Sequence, residues 1–232
     1  MHLMDIEIYK LLKYRNTEEE QHLLAIELNQ NLYLKNYWDN IRDLFCLNLP
    51  KKMGFFEISK VNIELGKFEG DKLEISRTDG IATYKIENFN FNQFEKLSDL
   101  EKNIQSLDYI RSSLLDICNI LNANTHHINL FNTICDKILS ENFELTRTFP
   151  KTTKWNKSRN IQAVTLMHHK PGGINVSVKF KNKDGDEIYT ESIIENRFWE
   201  SIYFDIWKGY WIDSKFIIEN KNGDIFKTLT PP

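Results

Sequence analysis

Between residues 174 and 181 apolar and polar side chains alternate: Ile174, Val176, Val178 and Phe180 against Asn175, Ser177, Lys179 and Lys181. Successive strand side chains point to opposite faces, so this stretch reads as a strand with one buried and one wet face. The apolar face must be covered by a second layer, and that demand constrains everything around it. Turn chemistry extends the strand into a sheet. His169-Lys170-Pro171-Gly172-Gly173 turns back to a strand at 161–168, and Asp184-Gly185 turns forward to one at 187–194. Residues 210–218 and 224–229 read as a further hairpin around Asn222-Gly223.

The remainder alternates between helical and strand periods. Residues 4–15 fit a short helix. Thr17-Glu18-Glu19-Glu20 has capping-box form before a helical run from Leu23 to Phe45, with Asn29-Gln30-Asn31 as a break and Pro50 as its end. From 54 to 89 strand alternation takes over, with a phase slip near Ser59-Lys60 that reads as a β-bulge and an Asp79-Gly80 pair suited to a two-residue type I′ turn. Leu97, Leu100, Ile104, Leu107, Leu114, Cys118 and Leu121 mark a helix within 92–121, with Ser98 and Glu101 as its capping box. A second helix over 126–140 follows a short link, so the pair forms a hairpin. Residues 196–208 suit a short helix, broken by Gly209.

Strands cluster and helices cluster, which gives an α+β class: antiparallel β-meanders (about 54–89 and 143–229) packed with N-terminal helices and a central helical hairpin (about 92–140). No Pro/Gly/Ser-rich linker divides the 232 residues, so a single compact domain over 1–232 is expected. Halves meeting near residue 95 (1–95 and 96–232) are the alternative. A chain this long buries roughly 70% of its unfolded surface and folds without a metal or disulfide.

Composition narrows the class of protein. No stretch approaches the ~20 apolar residues of a bilayer span, and the start lacks a basic region followed by an apolar core. Cys46, Cys118 and Cys135 are odd in number, widely spaced and set among apolar residues, as small buried hydrophobes would be. A reduced, cytoplasmic setting without membrane association is expected. Only four alanines stand against abundant Asn, Lys and Ile, a bias of an AT-rich genome. The helices must therefore lean on packing rather than propensity.

The net charge of −3 hides an uneven map. Residues 143–183 hold nine Lys/Arg against Glu144 alone, whereas 184–232 sum to −5. The basic run centres on Lys151, Lys154, Trp155, Lys157 and Arg159 and could neutralise phosphates or meet an acidic protein. The overall acidity argues against nucleic acid. A second cluster packs seven aromatics into the fourteen residues 198–211, among them Trp199, Tyr203, Trp207, Tyr210 and Trp211. Glu200, Asp205 and Asp213 lie among and beside them, and Glu195 just before. Aromatic anchors with an acidic rim would suit a basic protein partner.

No motif fixes a reaction. His126-His127 and His168-His169 are adjacent pairs whose side chains diverge, so neither chelates alone and no metal or cofactor is expected. No G-x-S-x-G, phosphate loop or EF-hand pattern occurs, and Asp184-Gly185-Asp186-Glu187 reads as a turn. The sequence therefore reads as a non-enzymatic protein-binding module, most concretely a bacterial immunity-type protein that binds and neutralises a toxin. The alternatives are a hydrolase with a dispersed site around His168 or His169 and carboxylates, and a nucleic-acid-associated factor using 151–159.

Overall fold

A computed structural model describes residues 5–10, 37–51, 53–66, 71–87, 89–197 and 199–232. The capping box at Thr17 and the helical run before residue 37 lie outside the described residues. The class is α+β with antiparallel meanders. The chain divides into two compact units, Met1–Phe143 and Glu144–Pro232. Residue 95 closes a short helix inside the first. Among the described residues no helix is long and apolar enough to cross a membrane.

In the first unit β1 (Asp5–Lys10), β2 (Lys60–Gly66), β4 (Ile81–Glu87) and β3 (Leu73–Ser76) form one sheet in that spatial order. Residues 5–10 are thus a strand, not part of the expected helix. Asp5, Glu7 and Tyr9 alternate with Ile6 and Ile8, a period of two as well as a partial helical one, and pairing with β2 decides it. β3 and β4 form the expected antiparallel hairpin, while β2 joins β4 in parallel. β3 has only four residues and alternates half-buried with exposed, which suits an edge; β4 buries Ala82 and Tyr84 and takes the interior place.

The hairpin loop runs over four residues, 77–80, with Gly80 at φ +66°, instead of the two-residue turn expected. The phase slip near Ser59 is a turn and not a bulge: Phe56 and Glu57 take positive φ, and the Ile58 N–H donates to the Phe55 carbonyl at 2.6 Å. It buries Phe55 and Ile58 together.

Helix α1 (residues 37–48) buries Trp38, Ile41, Leu44 and Phe45. Short α2 (Phe91–Glu95) precedes α3 (Asp99–Ile120) and α4 (Thr125–Ser140). Ser98 and Glu101 make the expected capping box. Asparagine closes both long helices: Asn122 and Asn142 sit at φ +51° just past the C-caps. The next N–H of each reaches back, Ala123 to the Cys118 carbonyl and Phe143 to that of Ile138, completing Schellman motifs. Cys118 and Cys135 are buried within the pair.

The second unit meets the demand set by residues 174–181. Its main sheet runs β5 (Leu145–Thr148), β7 (Ile161–Lys170), β8 (Gly173–Asn182), β9 (Glu187–Arg197), with β6 (Lys154–Trp155) also on β7. A three-stranded meander β10 (Lys208–Ile212), β11 (Lys215–Glu219), β12 (Ile225–Leu229) and helix α5 (Trp199–Asp205) complete it. The apolar face of β8 lies in one core with Ala163, Met167, Ile202, Ile206, Phe216, Ile218 and Leu229. The run 210–218 is therefore two strands, turned at Asp213 with φ +50°.

Two hairpins share one peg. In Asn-Lys-Asp-Gly-Asp at 182–186 and Asn-Lys-Asn-Gly-Asp at 220–224, the first Asn side chain accepts from the N–H groups two and four residues on, all at 2.9 Å.

Gly209 does not end a helix but lies inside β10. A Cβ there would meet the Phe216 ring at 2.6 Å and the Thr152 backbone at 2.9 Å, so only glycine admits this approach. Gly209→Ala is expected to cost about 1–3 kcal/mol, as overpacking does, read from the midpoint of urea unfolding. Gly54→Ala, where a Cβ meets nothing within 4 Å, should stay within about 0.5 kcal/mol.

His169 supplies a pH prediction. It faces the core of the second unit, fully buried, and burial, then the charges of Arg147 and His168, press its pKa down from 6.5 to about 4. Between those values the unfolded chain binds the proton and the native chain does not, so stability rises with pH across the window and is lost on acidification. The change is on the order of 3 kcal/mol. Urea unfolding from pH 7 to pH 4 should show it, and His169→Gln should flatten that slope.

Candidate functional site

The basic segment and the aromatic cluster, separate in sequence, meet in the second unit. Beyond β5 the chain enters a 3-10 turn, Pro150–Thr152, whose Thr152 is fully buried. The Phe149 N–H donates to the Thr165 carbonyl at 2.9 Å, and the Thr165 hydroxyl donates to the Thr152 carbonyl at 3.3 Å. These bonds hold the turn against β7, and Gly209 lets β10 lie on it. Two further bonds fix the end of α5 against the β11–β12 hairpin: Trp207 N–H to the Glu219 carbonyl (2.9 Å) and Lys221 N–H to that of Phe204 (2.8 Å).

The result is a cavity of about 790 Å³ between β5 and α5. Thr146, Arg147, Thr148, Phe149, Pro150 and Lys151 form one wall, Tyr203, Ile206 and Trp207 the other, and Met167 the floor. The Lys151 ammonium stands 3.5 Å from the centre of the Trp207 ring. Phe149 meets Tyr203 edge to face at 6.1 Å. Tyr203 and Trp207 are 44% and 39% exposed, too much for pure core packing. The lining offers a cation, a guanidinium, threonine hydroxyls and aromatic faces, which together fit an occupant that is acidic and partly apolar.

The remaining expected residues distribute elsewhere. Tyr210 and Trp211 lie on β10. Tyr210 donates to Glu219 at 2.5 Å, and that carboxylate raises its pKa. Trp211 packs on Phe180 and Phe216 and donates from Nε1 to the Lys154 carbonyl at 3.0 Å. Neither Asp205 nor Asp213 lines the cavity, and among the described residues the charged side chains of its lining are Arg147 and Lys151, opposite in sign to the acidic rim expected around these aromatics. Of Trp199 and Glu200 only the helical backbone is described.

Trp155, Lys157 and Arg159 border a separate shallow cavity with Asn156 and Lys183. Asn156 fixes that loop by accepting from the N–H groups of Asn160 and Ile161.

The His168–His169 pair diverges, whereas the His126 and His127 rings meet edge to face at 5.8 Å. Opposite the buried His169, His168 is half-buried and lies 3.5 Å from Glu144. His127 contacts the Gly54 carbonyl at 2.9 Å. Among the described residues no three His, Cys, Asp or Glu side chains gather as a metal would require. Burial pushes the Cys118 thiol up to about 11 and Cys135 to about 12, away from the reactive thiolate.

Two polar clusters in the first unit escape sequence reasoning. Arg42 lies buried between Asp39 and Asp43, at 2.9 Å from each. Lys72 and Tyr84 both donate to Asp116; Lys72 first, then Tyr84, holds that carboxyl below its usual range. The first has a local signal, carboxylates three residues before and one after an arginine. The second joins a loop residue just before β3 with residues of β4 and α3, and has none.

No protein-family model, no curated protein and no solved structure matches the chain.

Proposed function

We propose that the protein is a binding module without a chemical step of its own, and that the second unit docks an acidic segment of another protein in the cavity between β5 and α5. The observation that carries this reading is the Lys151–Trp207 pair beside Arg147 and Tyr203. Trp, Tyr and Arg are the side chains that dominate binding hot spots. They stand here half-exposed around a concave surface. Charge complementarity selects the partner's sign. In its narrower form, the partner is a toxin that the module blocks, and inhibition at one-to-one stoichiometry is the signature.

The test is a purified partner with a mapped footprint. Hydrogen exchange should show protection over residues 146–151 and 203–207 on binding. Trp207→Ala should weaken the complex by about 2 kcal/mol or more, the loss typical of a hot spot. Lys151→Glu should weaken it further at low salt than at high salt. Protection confined to other surfaces, or full affinity in both variants, would overturn the reading.

One observation favours a second reading. Trp155 is 42% exposed and sits beside Lys157, Arg159 and Lys183, which make no ion pair among the described residues. An exposed indole among free cations can stack a base and neutralise phosphates. On this reading a fluorescent single-stranded oligodeoxythymidine of about 20 nucleotides binds at about 50 mM salt, weakens steeply towards 200 mM, and is lost with Trp155→Ala. Unchanged anisotropy at the lower salt removes it.

A further inference from the structure

β5 is an edge strand: β7 pairs with one side of it, and no described strand takes the other. Its register decides which backbone groups that open side presents. Thr148 stands opposite Leu166, so Phe149 stands opposite Thr165, and the Phe149 N–H bonds the Thr165 carbonyl. Bonded pairs alternate along an antiparallel ladder. Arg147 with Met167 is therefore a bonded pair, while the N–H and C=O groups of Thr146 and Thr148 point away from β7. Thr146, Arg147 and Thr148 are all exposed.

The same register fixes the side chains. Directly opposed residues share a face, so Arg147 lies on the face of Met167, the cavity floor. An unpaired edge thus runs along the rim of a cavity whose far wall is α5.

From this edge, building on the proposed docking role, we infer that an extended acidic segment of another protein adds to β5 as a further strand. Its backbone pairs with Thr146 and Thr148, and every second side chain enters the cavity. Main-chain bonds on a sheet edge beside a helix supply affinity, and the pockets for alternate side chains supply selectivity. The occupant's chemistry follows from the lining. The residue opposite Arg147 is Asp or Glu. The one two positions along, nearer Lys151 and Trp207, is apolar or aromatic, with a further carboxylate flanking it to meet the Lys151 ammonium. The recognised pattern is an acidic residue and an apolar residue separated by one free position.

The test displays random linear peptides of about nine residues on phage against the immobilised full-length chain. Enriched sequences are synthesised and measured by anisotropy. The expected result is enrichment of the acidic–x–apolar spacing. Two perturbations then address the backbone. N-methylation of the peptide at the residue facing Thr146 should weaken binding at least tenfold. Thr146→Pro, which removes an N–H that β7 does not use, should do the same. The N-methylated peptide leaves the protein untouched, so it decides the matter even where the proline variant unfolds.

Peptides that lose affinity with Trp207→Ala but ignore N-methylation overturn strand addition and leave the cavity as the docking site. Peptides that ignore all three changes overturn both. Absence of enrichment overturns the linear acidic segment as occupant. So does a concentration-dependent dimer of the chain that Thr146→Pro abolishes, since the edge would then serve a second copy.

Discussion

The approach of β10 to the turn at Thr152 is the contact on which the second unit's site depends. The inner face of β7, β8 and β9 presents Met167, Val176, Val178 and Phe180, and it must be covered. The cover is a thin meander and one short helix, so it has to lie close. Glycine at 209 removes the Cβ that would hold β10 off Phe216 and Thr152. Because Trp207 lies two residues before Gly209, the closeness that seals the core also sets the indole against Lys151. Packing and the proposed binding surface therefore share one backbone position. A larger residue there would loosen the core and widen the cavity together.

Asparagine does much of the local work in a chain poor in alanine. It is a mediocre helix former because its side chain competes for backbone hydrogen bonds. Here that competition is placed where it helps. Asn90 and Asn124 cap helix starts, Asn122 and Asn142 take the left-handed residue past helix ends, and Asn156, Asn182 and Asn220 peg loops. Each position needs either a short acceptor or positive φ, and asparagine offers both. Helix interiors gain their stability from the buried apolar face instead, as with Leu107, Ile110, Leu114 and Ile117 of α3.

Elements with a strong local period were legible from the chain alone. The strands around residue 178, the α3–α4 hairpin with its capping box, and the short helix near 200 follow from alternation, helical spacing and turn residues. What escaped needed long-range information. Residues 5–10 carry two periods at once, and only pairing with β2 chooses between them. The interior place of β4 depends on which strand can bear an exposed edge, a property of the assembled sheet. The break at residue 213, where Asp213-Ser214-Lys215 part Tyr210-Trp211-Ile212 from Phe216-Ile217-Ile218, rests on one left-handed aspartate. The candidate site was half legible. Lys151, Tyr203 and Trp207 stood out by type, but their meeting, and the cationic rather than acidic surround, came from chain paths fifty residues apart.

The Lys151–Trp207 pair also supplies a physical reason for the proposed docking role. Exposed, a cation–π contact contributes about 0.5–1 kcal/mol; shielded from water it contributes about 2. A partner that covers the indole therefore strengthens an interaction already in place, and a carboxylate beside the ammonium prevents the covered charge from standing alone. Arg147 extends the same demand along β5, since its guanidinium also seeks an acidic partner once desolvated. An apolar occupant without a carboxylate would bury these cations unpaired, and a carboxylate without apolar neighbours would leave the aromatic wall wet. On the proposed docking role, such a surface selects ligands carrying both features at close spacing.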